Sequence, residues 1–192
     1  MERTTADLPS DDELVRRFRR GDEASFDQLV LRYRKEVYRM AWRITGNHAE
    51  ADDLAQETFC RAWQALDEFR GDSTIRTWLL RIVSNLSLNV VQSARVSRRD
   101  PVAIETLEQA AASTMRLKPV GPDELIRRER DEQVRRAVQT LPRKQRLTLI
   151  LRAFEGLQYK EIARVMGCTT GTAKANFFHA VACLKRELKE FL

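Results

Sequence analysis

Cysteine and histidine are scarce in this sequence, which has three cysteines and two histidines among its 192 residues. Cys60, Cys168 and Cys183 are an odd number and form no CxxC pair, which favours a reduced, intracellular protein. His179 and Cys183 are four residues apart and could form half of a metal site, but the sequence offers no matching second half. We therefore expect no bound metal and no cofactor.

Long apolar runs are also missing, and so are the groups that catalysis needs. No apolar run approaches the roughly 20 residues of a transmembrane helix, and the acidic, polar N-terminus does not resemble a signal peptide, so a cytoplasmic location is expected. His48 and His179 fall in different parts of the chain, and no carboxylate pair, phosphate-binding loop or complete metal set accompanies them. The sequence therefore gives no support to an enzyme.

Charged residues are plentiful, and their positive excess is clustered. The chain has 34 Lys and Arg residues against 28 Asp and Glu residues, a net charge of +6. Residues 140–192 alone hold ten basic side chains against four acidic ones, so their excess equals that of the whole chain. Clustered positive charge towards the C-terminus favours a nucleic-acid partner.

Helical periodicity runs through nearly the whole chain and predicts an all-α fold of two small helical domains joined by a flexible linker. The first domain covers residues 1–97, where Ser73 is expected to cap a long final helix. The linker covers residues 98–122, which hold three of the five prolines and have no sustained apolar stripe. Residues 123–192 form the second domain.

The second domain carries the pattern of a helix-turn-helix. Two helices that cross steeply after a short turn need a small residue at the crossing and a residue that tolerates positive φ at the turn. Ala163 and Gly167 meet these needs, and Thr169 can cap the second helix. In such a motif the second helix is the one that reads the major groove of DNA.

Two adjacent phenylalanines on that second helix must face different ways, because neighbours on a helix are turned by about 100°. An apolar stripe through Ala173, Phe177 and Ala180 makes Phe177 a core residue and turns Phe178 outward. There Phe178 could pack on a thymine methyl, or it could instead fill a gap against another helix of the domain. The residues expected to contact DNA on this face are Thr170, Thr172, Lys174, Ala175, Phe178 and His179.

The order of motifs along the chain resembles that of a known family. A helical segment, DDLAQETFCRAWQALDEFRGDSTIRTWLLRIVSNLSLN, precedes the linker, and LPRKQRLTLILRAFEGLQYKEIARVMGCTTGTAKA follows it. This order is similar to that of the extracytoplasmic-function (ECF) branch of the bacterial sigma-70 family of RNA polymerase sigma factors. The successive motifs D-L-x-Q-E-x-F, F-R-G-D-S and T-W-L-x-R-I are highly specific to that branch.

The resemblance implies an alternative sigma factor, which is a promoter-specificity subunit and not an enzyme. Its first domain would bind core RNA polymerase and melt the minus-ten element, and its second would read the minus-thirty-five element. The implied partners are core RNA polymerase, through its beta-prime clamp and beta flap, promoter DNA, and an anti-sigma factor. The sequence departs from the family at Ala173, Asn176 and His179, where valine and arginines are usual, so the usual minus-thirty-five preference is not implied.

The resemblance also assigns roles to residues of the first domain. Asp53, Gln56 and Glu57 share one helix face, which would bind the polymerase clamp; the alternative is an ordinary solvated acidic face. The amides of Asn85 and Asn89 can read base edges, or could instead satisfy buried backbone groups of the bundle. The residues expected at the minus-ten DNA are Phe69, Arg70, Gly71, Asp72, Ser73, Thr74, Trp78, Asn85 and Asn89.

Three arginines stand at the end of the same long helix and just beyond it. Arg95, Arg98 and Arg99 are expected to contact DNA phosphates. Cations at the C-terminal end of a helix also interact favourably with the helix dipole, so both roles stay open.

A second class of function fits part of the same pattern. A helix-turn-helix regulator with an N-terminal sensing bundle would bind DNA tightly as a free protein. Such a regulator would act without RNA polymerase, whereas a sigma factor would require it. Dependence on polymerase therefore distinguishes the two classes.

Overall fold

The computed structural model describes residues 9–97 and 122–189. These residues form eight α-helices and one π-helical turn and contain no β-strand, which confirms the predicted all-α fold. None of the described helices is long and apolar enough to cross a bilayer. Of the predicted linker, only Pro122 is described, and it begins a helix. The elements are α1 (Asp11–Phe18), α2 (Ala24–Thr45), α3 (His48–Ala65), α4 (Ile75–Ser97), α5 (Pro122–Thr140), α6 (Arg143–Leu149), the π-helical turn (Ile150–Phe154), α7 (Tyr159–Met166) and α8 (Thr170–Glu187).

The helix boundaries follow from local sequence. Gly46 adopts a left-handed φ of 75° and ends α2, and the Asn47 side chain then accepts hydrogen bonds from the first amides of α3. The cap of α4 differs from the prediction, because the hydroxyl of Thr74, not of Ser73, accepts from the Thr77 amide at 3.1 Å. Thr74 stands directly before the first residue of α4, which is the position from which a side chain reaches the third helical amide.

The N-terminal domain, α1–α4, is packed around α2. This helix contacts α1, α3 and α4, and it buries Leu29, Val37 and Met40 almost completely. On α4, Leu79 and Val83 are buried in the same core. The apolar residues recur at helical spacing, so each helix turns one face inward and leaves its opposite face in solvent.

The C-terminal domain, from α5 to α8, has a small core of its own. Val138, Leu141, Leu149 and Ala180 form this cluster, and Phe177 packs at its edge. It joins α5, α6 and α8, and α8 contacts both of the other helices. Other buried residues of this domain, among them Leu147 and Ile162, belong instead to the cluster that it shares with the N-terminal domain.

The two domains are also in contact with each other. Ile150, Leu151 and Ile162 of the C-terminal domain belong to the same buried cluster as Leu80 and Val83 of α4. In this arrangement α7 packs along α4, and the π-helical turn lies against α2. The sequence predicts the helices of each domain from local periodicity, but it does not predict this contact, because its partners are far apart in the chain.

Candidate nucleic-acid interface

α7 and α8 form the helix-turn-helix that the sequence predicts. Gly167 adopts a φ of 60°, in the left-handed region that glycine enters without strain. The amide of Cys168 donates to the carbonyl of Ala163 at 3.0 Å and closes the turn. The Thr169 hydroxyl accepts from the Thr172 amide at 3.1 Å and caps α8. The turn and the cap together set the direction in which α8 leaves α7.

The two neighbouring phenylalanines of α8 face different surroundings. Ala173 and Ala180 are completely buried, and Phe177 is half-buried at the edge of the small core. Phe178 is 65% exposed, although its ring contacts Phe177 edge-to-face with centroids 6.2 Å apart. The predicted inward and outward assignments are therefore confirmed. Phe178 does not fill a gap in the domain, and that alternative is wrong.

The α8 surface around Phe178 is polar and cationic. Lys174 Nζ lies 5.9 Å from the centre of the Tyr159 ring, and the Arg152 guanidinium lies 4.9 Å from it. Cations are attracted to the face of an aromatic ring, so Tyr159 draws both side chains to the start of α7. The residues of the predicted DNA face, all of them exposed, are Thr170, Thr172, Lys174, Ala175, Phe178 and His179.

Sequence reasoning missed Arg152 and Tyr159 as parts of this surface. With Lys160 they line an open cleft of about 580 Å³ beside α7. An aromatic residue followed by a lysine at a helix start is visible in the sequence. Arg152 reaches them only because the turn after the π-helix folds back, which no periodic pattern reveals.

One face of α3 presents the predicted polymerase-binding residues together. Asp53, Gln56 and Glu57 are all exposed. Trp63 lies two helical turns after Gln56 on the same side, and it is 38% exposed. The Trp63 ring contacts the Phe18 ring edge-to-face, with ring centroids 4.8 Å apart. This contact supports the Trp63 ring at the surface. Sequence reasoning missed Trp63, although its spacing from Gln56 is the signal that could have found it.

The predicted minus-ten loop lies between α3 and α4. The rings of Phe69 and Trp78 are half-buried and tilted against each other, with centroids 5.3 Å apart. The Arg19 guanidinium donates to the carbonyl of Phe69 and so ties the start of the loop to the end of α1. Arg19 was not predicted. The remaining loop residues, of which Ser73 is half-buried and the others exposed, are Arg70, Gly71, Asp72, Ser73 and Thr74.

Two asparagines and three arginines were predicted to contact DNA along α4 and beyond it. Asn85 is exposed, so it does not satisfy a buried backbone group. The side chains of Asn89 and Arg95 lie outside the described part of the structure, and so do Arg98 and Arg99 altogether. Those four assignments stay predictions.

Comparison with known proteins identifies both domains. Residues 29–96 match the family described as Sigma-70 region 2, and residues 131–184 match Sigma-70, region 4. The RNA polymerase sigma-H factor of Pseudomonas aeruginosa is 38% identical over 186 residues, which cover 95% of each chain. The ECF RNA polymerase sigma-E factor of Escherichia coli strain K12 is 34% identical over 95% of this chain and 96% of its own.

Two solved structures share the fold. One is the sigma factor RpoE of Bartonella quintana in complex with the anti-sigma factor NepR, with a TM-score of 0.64, 27% identity, and coverage of 85% of this chain and 96% of the other. The other is CnrH in complex with the cytosolic domain of CnrY, with a TM-score of 0.66, 24% identity, and coverage of 92% and 96%. At that identity the second likeness bears on the fold alone. The family matches and the full-length relatives agree, and the chain belongs to the ECF branch of the sigma-70 family of RNA polymerase sigma factors.

Proposed function

We propose that this protein is an alternative sigma factor that binds core RNA polymerase, directs it to specific promoters and helps to melt the minus-ten element. It acts in the cytoplasm, where promoter DNA and polymerase are found, and it is a transcription initiation factor and not an enzyme. The observation that carries the proposal is the exposed face of α8. There an apolar ring, Phe178, stands in solvent beside Lys174 on the second helix of a helix-turn-helix.

That face has the chemistry of a major-groove reader. The Phe178 ring can pack on a thymine methyl, and Lys174 can donate to the O6 and N7 acceptors of guanine. Arg152 and Lys160, at the edge of the same surface, can neutralise phosphates and fix the orientation of α8 on the duplex. We assign the minus-thirty-five element to this face.

The loop before α4 has the chemistry to bind a single-stranded base. Extruding a base from the duplex costs a few kcal/mol, which stacking and hydrogen bonds in a pocket can offset. Phe69 and Trp78 supply aromatic surface, and the exposed amide of Asn85 can donate and accept at a base edge. We assign the minus-ten element to this loop and to the start of α4.

The exposed face of α3 is the proposed docking surface for the polymerase clamp. It combines two carboxylates, Asp53 and Glu57, with a supported aromatic ring, Trp63. An aromatic anchor surrounded by polar groups is common at the centre of protein interfaces. The C-terminal domain would in turn contact the beta flap. We also propose that an anti-sigma factor controls the protein, because the similar sigma factor of B. quintana was solved with one.

A run-off transcription assay with purified core polymerase tests the proposed function. Core polymerase with this protein should produce specific transcripts from a promoter library, and neither component alone should do so. A free helix-turn-helix regulator would give a different result, since it would bind its DNA site tightly without polymerase and support no transcription. No transcript from any promoter with an active core would refute the proposal.

Reversing both charges on the α3 face should weaken core binding. Asp53→Lys with Glu57→Lys is expected to raise the dissociation constant for core polymerase by about tenfold, as loss of interface contacts worth over 1 kcal/mol would. The fold should survive, because both side chains are exposed and the Glu57–Arg61 pair contributes at most about 0.5 kcal/mol. Titration of labelled core polymerase measures the change.

A second double variant controls for net charge alone. Asp12→Lys with Asp27→Lys makes the same charge change at exposed positions of α1 and α2. It should bind core as the wild type does. Equal affinities for both double variants, with the helical content intact, would show that the α3 face is not the docking surface.

Asn85→Ala should impair promoter melting without affecting folding. Loss of a specific base contact is expected to cost about 1–3 kcal/mol of open-complex stability and to relax preference at one or two non-template bases. Permanganate footprinting of the melted region measures this. Gln28→Ala, which removes another exposed amide, should change nothing. If the variant protein instead unfolds at a lower temperature and its promoter choice is unchanged, Asn85 stabilises the fold and does not contact a base.

A further inference from the structure

An open cleft lies between the end of α1 and the end of α3. Its volume is about 500 Å³, and its walls include the Phe18 and Trp63 rings. Gln64 lines it from the last turn of α3, Asp67 from the turn that follows, and Glu23 from the residue before α2. All three of these polar side chains are exposed. The cleft therefore combines aromatic surface with an amide and two carboxylates.

The Trp63 ring is held in place without being covered by another ring. Its contacts with the Phe18 and Phe26 rings are edge-to-face, with centroids 4.8 and 5.1 Å apart. Among the aromatic contacts of the described residues, none stacks a second ring parallel to the indole, which is 38% exposed. A planar ligand can therefore stack on it, and stacking on aromatic side chains is a main source of affinity for unpaired bases.

The cleft lies beside the loop that we assign to the minus-ten element. Arg19, which lines the cleft, donates from its guanidinium to the carbonyl of Phe69 in that loop and to the carbonyl of Leu66 at 3.5 Å. Asp67 stands two residues before Phe69, so their backbones are at most about 7 Å apart. A DNA strand held by the loop would therefore pass within reach of the cleft.

The charges around the cleft suit a nucleotide. Glu23 and Asp67 have no ion-pair partner in the part of the chain that the structure describes, so both can accept hydrogen bonds from a ligand. Aromatic surface with free carboxylates would also suit an arginine of a partner protein. Arg20 and Arg70, however, are exposed next to the cleft and the loop, where they would repel a cation and can bind phosphates.

We propose that this cleft binds a second unpaired base of the melted promoter strand, a few nucleotides from the base bound by the minus-ten loop, and that it selects a base with an amino group. This inference rests on the proposed function. The base would stack on Trp63 and turn its edge towards Gln64 and Asp67. An ionised carboxylate only accepts hydrogen bonds. Adenine, cytosine and guanine each have an amino group that donates, whereas thymine has carbonyl oxygens in those places.

Abasic substitutions in the promoter locate the bound bases. Core polymerase with this protein is bound to promoter DNA that lacks one base at a time from the non-template strand of the melted region. We expect sensitivity at the position bound by the loop and at a second position nearby. Loss of either base should weaken binding about tenfold, as loss of one stacked base does.

Two variants show whether the second position belongs to the cleft. Gln64→Ala should reduce the effect of the missing base there from about tenfold to about twofold, and it should not change the effect at the first position. With the wild type, thymine at the second position should bind about tenfold more weakly than adenine. Asp67→Asn should remove that difference, because an amide can donate to thymine as well as accept.

Matched controls come from exposed residues outside the cleft. Gln28→Ala removes an amide from α2 and Asp12→Asn removes a carboxylate from α1, and both proteins should behave as the wild type. Trp63 is left unchanged, because its ring also belongs to the α3 face. Titration of core polymerase with the Gln64→Ala and Asp67→Asn proteins should give the wild-type affinity.

The outcomes separate this inference from the proposed function. If the wild type forms no open complex with core polymerase, the proposed function fails, while the affinity of the free protein for a labelled single-stranded oligonucleotide, with and without Gln64→Ala, still tests the cleft. If Gln64→Ala leaves both sensitive positions unchanged, the cleft does not bind a base. If it weakens core binding instead, the cleft binds the polymerase, and the inference is overturned. An unchanged preference against thymine in Asp67→Asn would refute the selection of an amino group.

Discussion

Phe177→Ala is expected to lower the free energy of unfolding of the C-terminal domain by about 3 kcal/mol, the low end of the cost for a buried phenylalanine. The low end applies because the ring is half-buried at the edge of the small core. The variant also loses the edge-to-face contact with Tyr159, whose ring centre lies 5.9 Å away. Urea unfolding followed by circular dichroism measures the change.

Phe178→Ala should change promoter selection and leave the stability of the C-terminal domain nearly unchanged. Its ring is 65% exposed and contacts the Phe177 ring, so its loss should cost at most about 1 kcal/mol of stability. Promoter selection should change instead, because the apolar contact with a thymine methyl is lost. We expect weaker discrimination at one upstream base pair, by about 1–3 kcal/mol. Transcription from promoters with single substitutions in the minus-thirty-five element measures this.

Leu31→Ala separates a DNA contact from the general effect of removing exposed apolar surface. Leu31 is 62% exposed on α2 and lies on none of the proposed DNA surfaces. It should alter neither stability nor promoter choice. If Phe178→Ala unfolds the domain while Phe177→Ala changes only promoter choice, the two faces of α8 have been assigned backwards.

The faces of α8 could be predicted from the sequence because they depend only on helical period. Ala173, Phe177 and Ala180 recur at spacings of four and three, and a stripe of that period has to face the core wherever the helix lies. The turn was predictable for a similar reason, since Gly167 supplies a backbone conformation that other residues adopt only with strain. Features of this kind can be predicted from neighbouring residues in the sequence alone.

Features that depend on two distant segments were not predictable. Nothing near Arg43 in the sequence shows that its carbonyl will accept from Gln139, or that its guanidinium will meet Glu155. Charged residues are common on helix surfaces, so the pattern gives no reason to expect Arg43 and Arg76 to meet Glu155 where the two domains are in contact. Arg152 and Tyr159 are close in the chain, but they meet only because the turn after the π-helix folds back, and no periodic pattern reveals that turn. The Ser73 error is smaller, because adjacent Ser and Thr residues are both good caps and only the helix start selects between them.

Arg146→Ala is expected to lower stability more than any other single change where the C-terminal domain contacts the end of α2. Arg146 is 5% exposed, and it donates to the Ile44 carbonyl at 2.8 Å, to Gln139 Oε1 at 2.5 Å and to the Leu141 carbonyl at 3.3 Å. Removing it leaves several buried acceptors without this donor, and each such loss typically costs about 1–3 kcal/mol. We expect a total of about 3–5 kcal/mol in urea unfolding.

Two further variants show whether the charge or the donor geometry of Arg146 is responsible. Arg146→Lys keeps the charge but cannot reproduce the planar array of donors, so it should recover only part of the stability. Arg136→Ala removes an arginine that is 77% exposed and pairs with Glu132 on the helix surface, and it should cost at most about 0.5 kcal/mol. A loss below about 1 kcal/mol for Arg146→Ala would mean that water replaces its donors. Because Arg146 donates both to the Leu141 carbonyl of its own domain and to the Ile44 carbonyl at the end of α2, its loss should destabilise the C-terminal domain and also weaken its contact with α2.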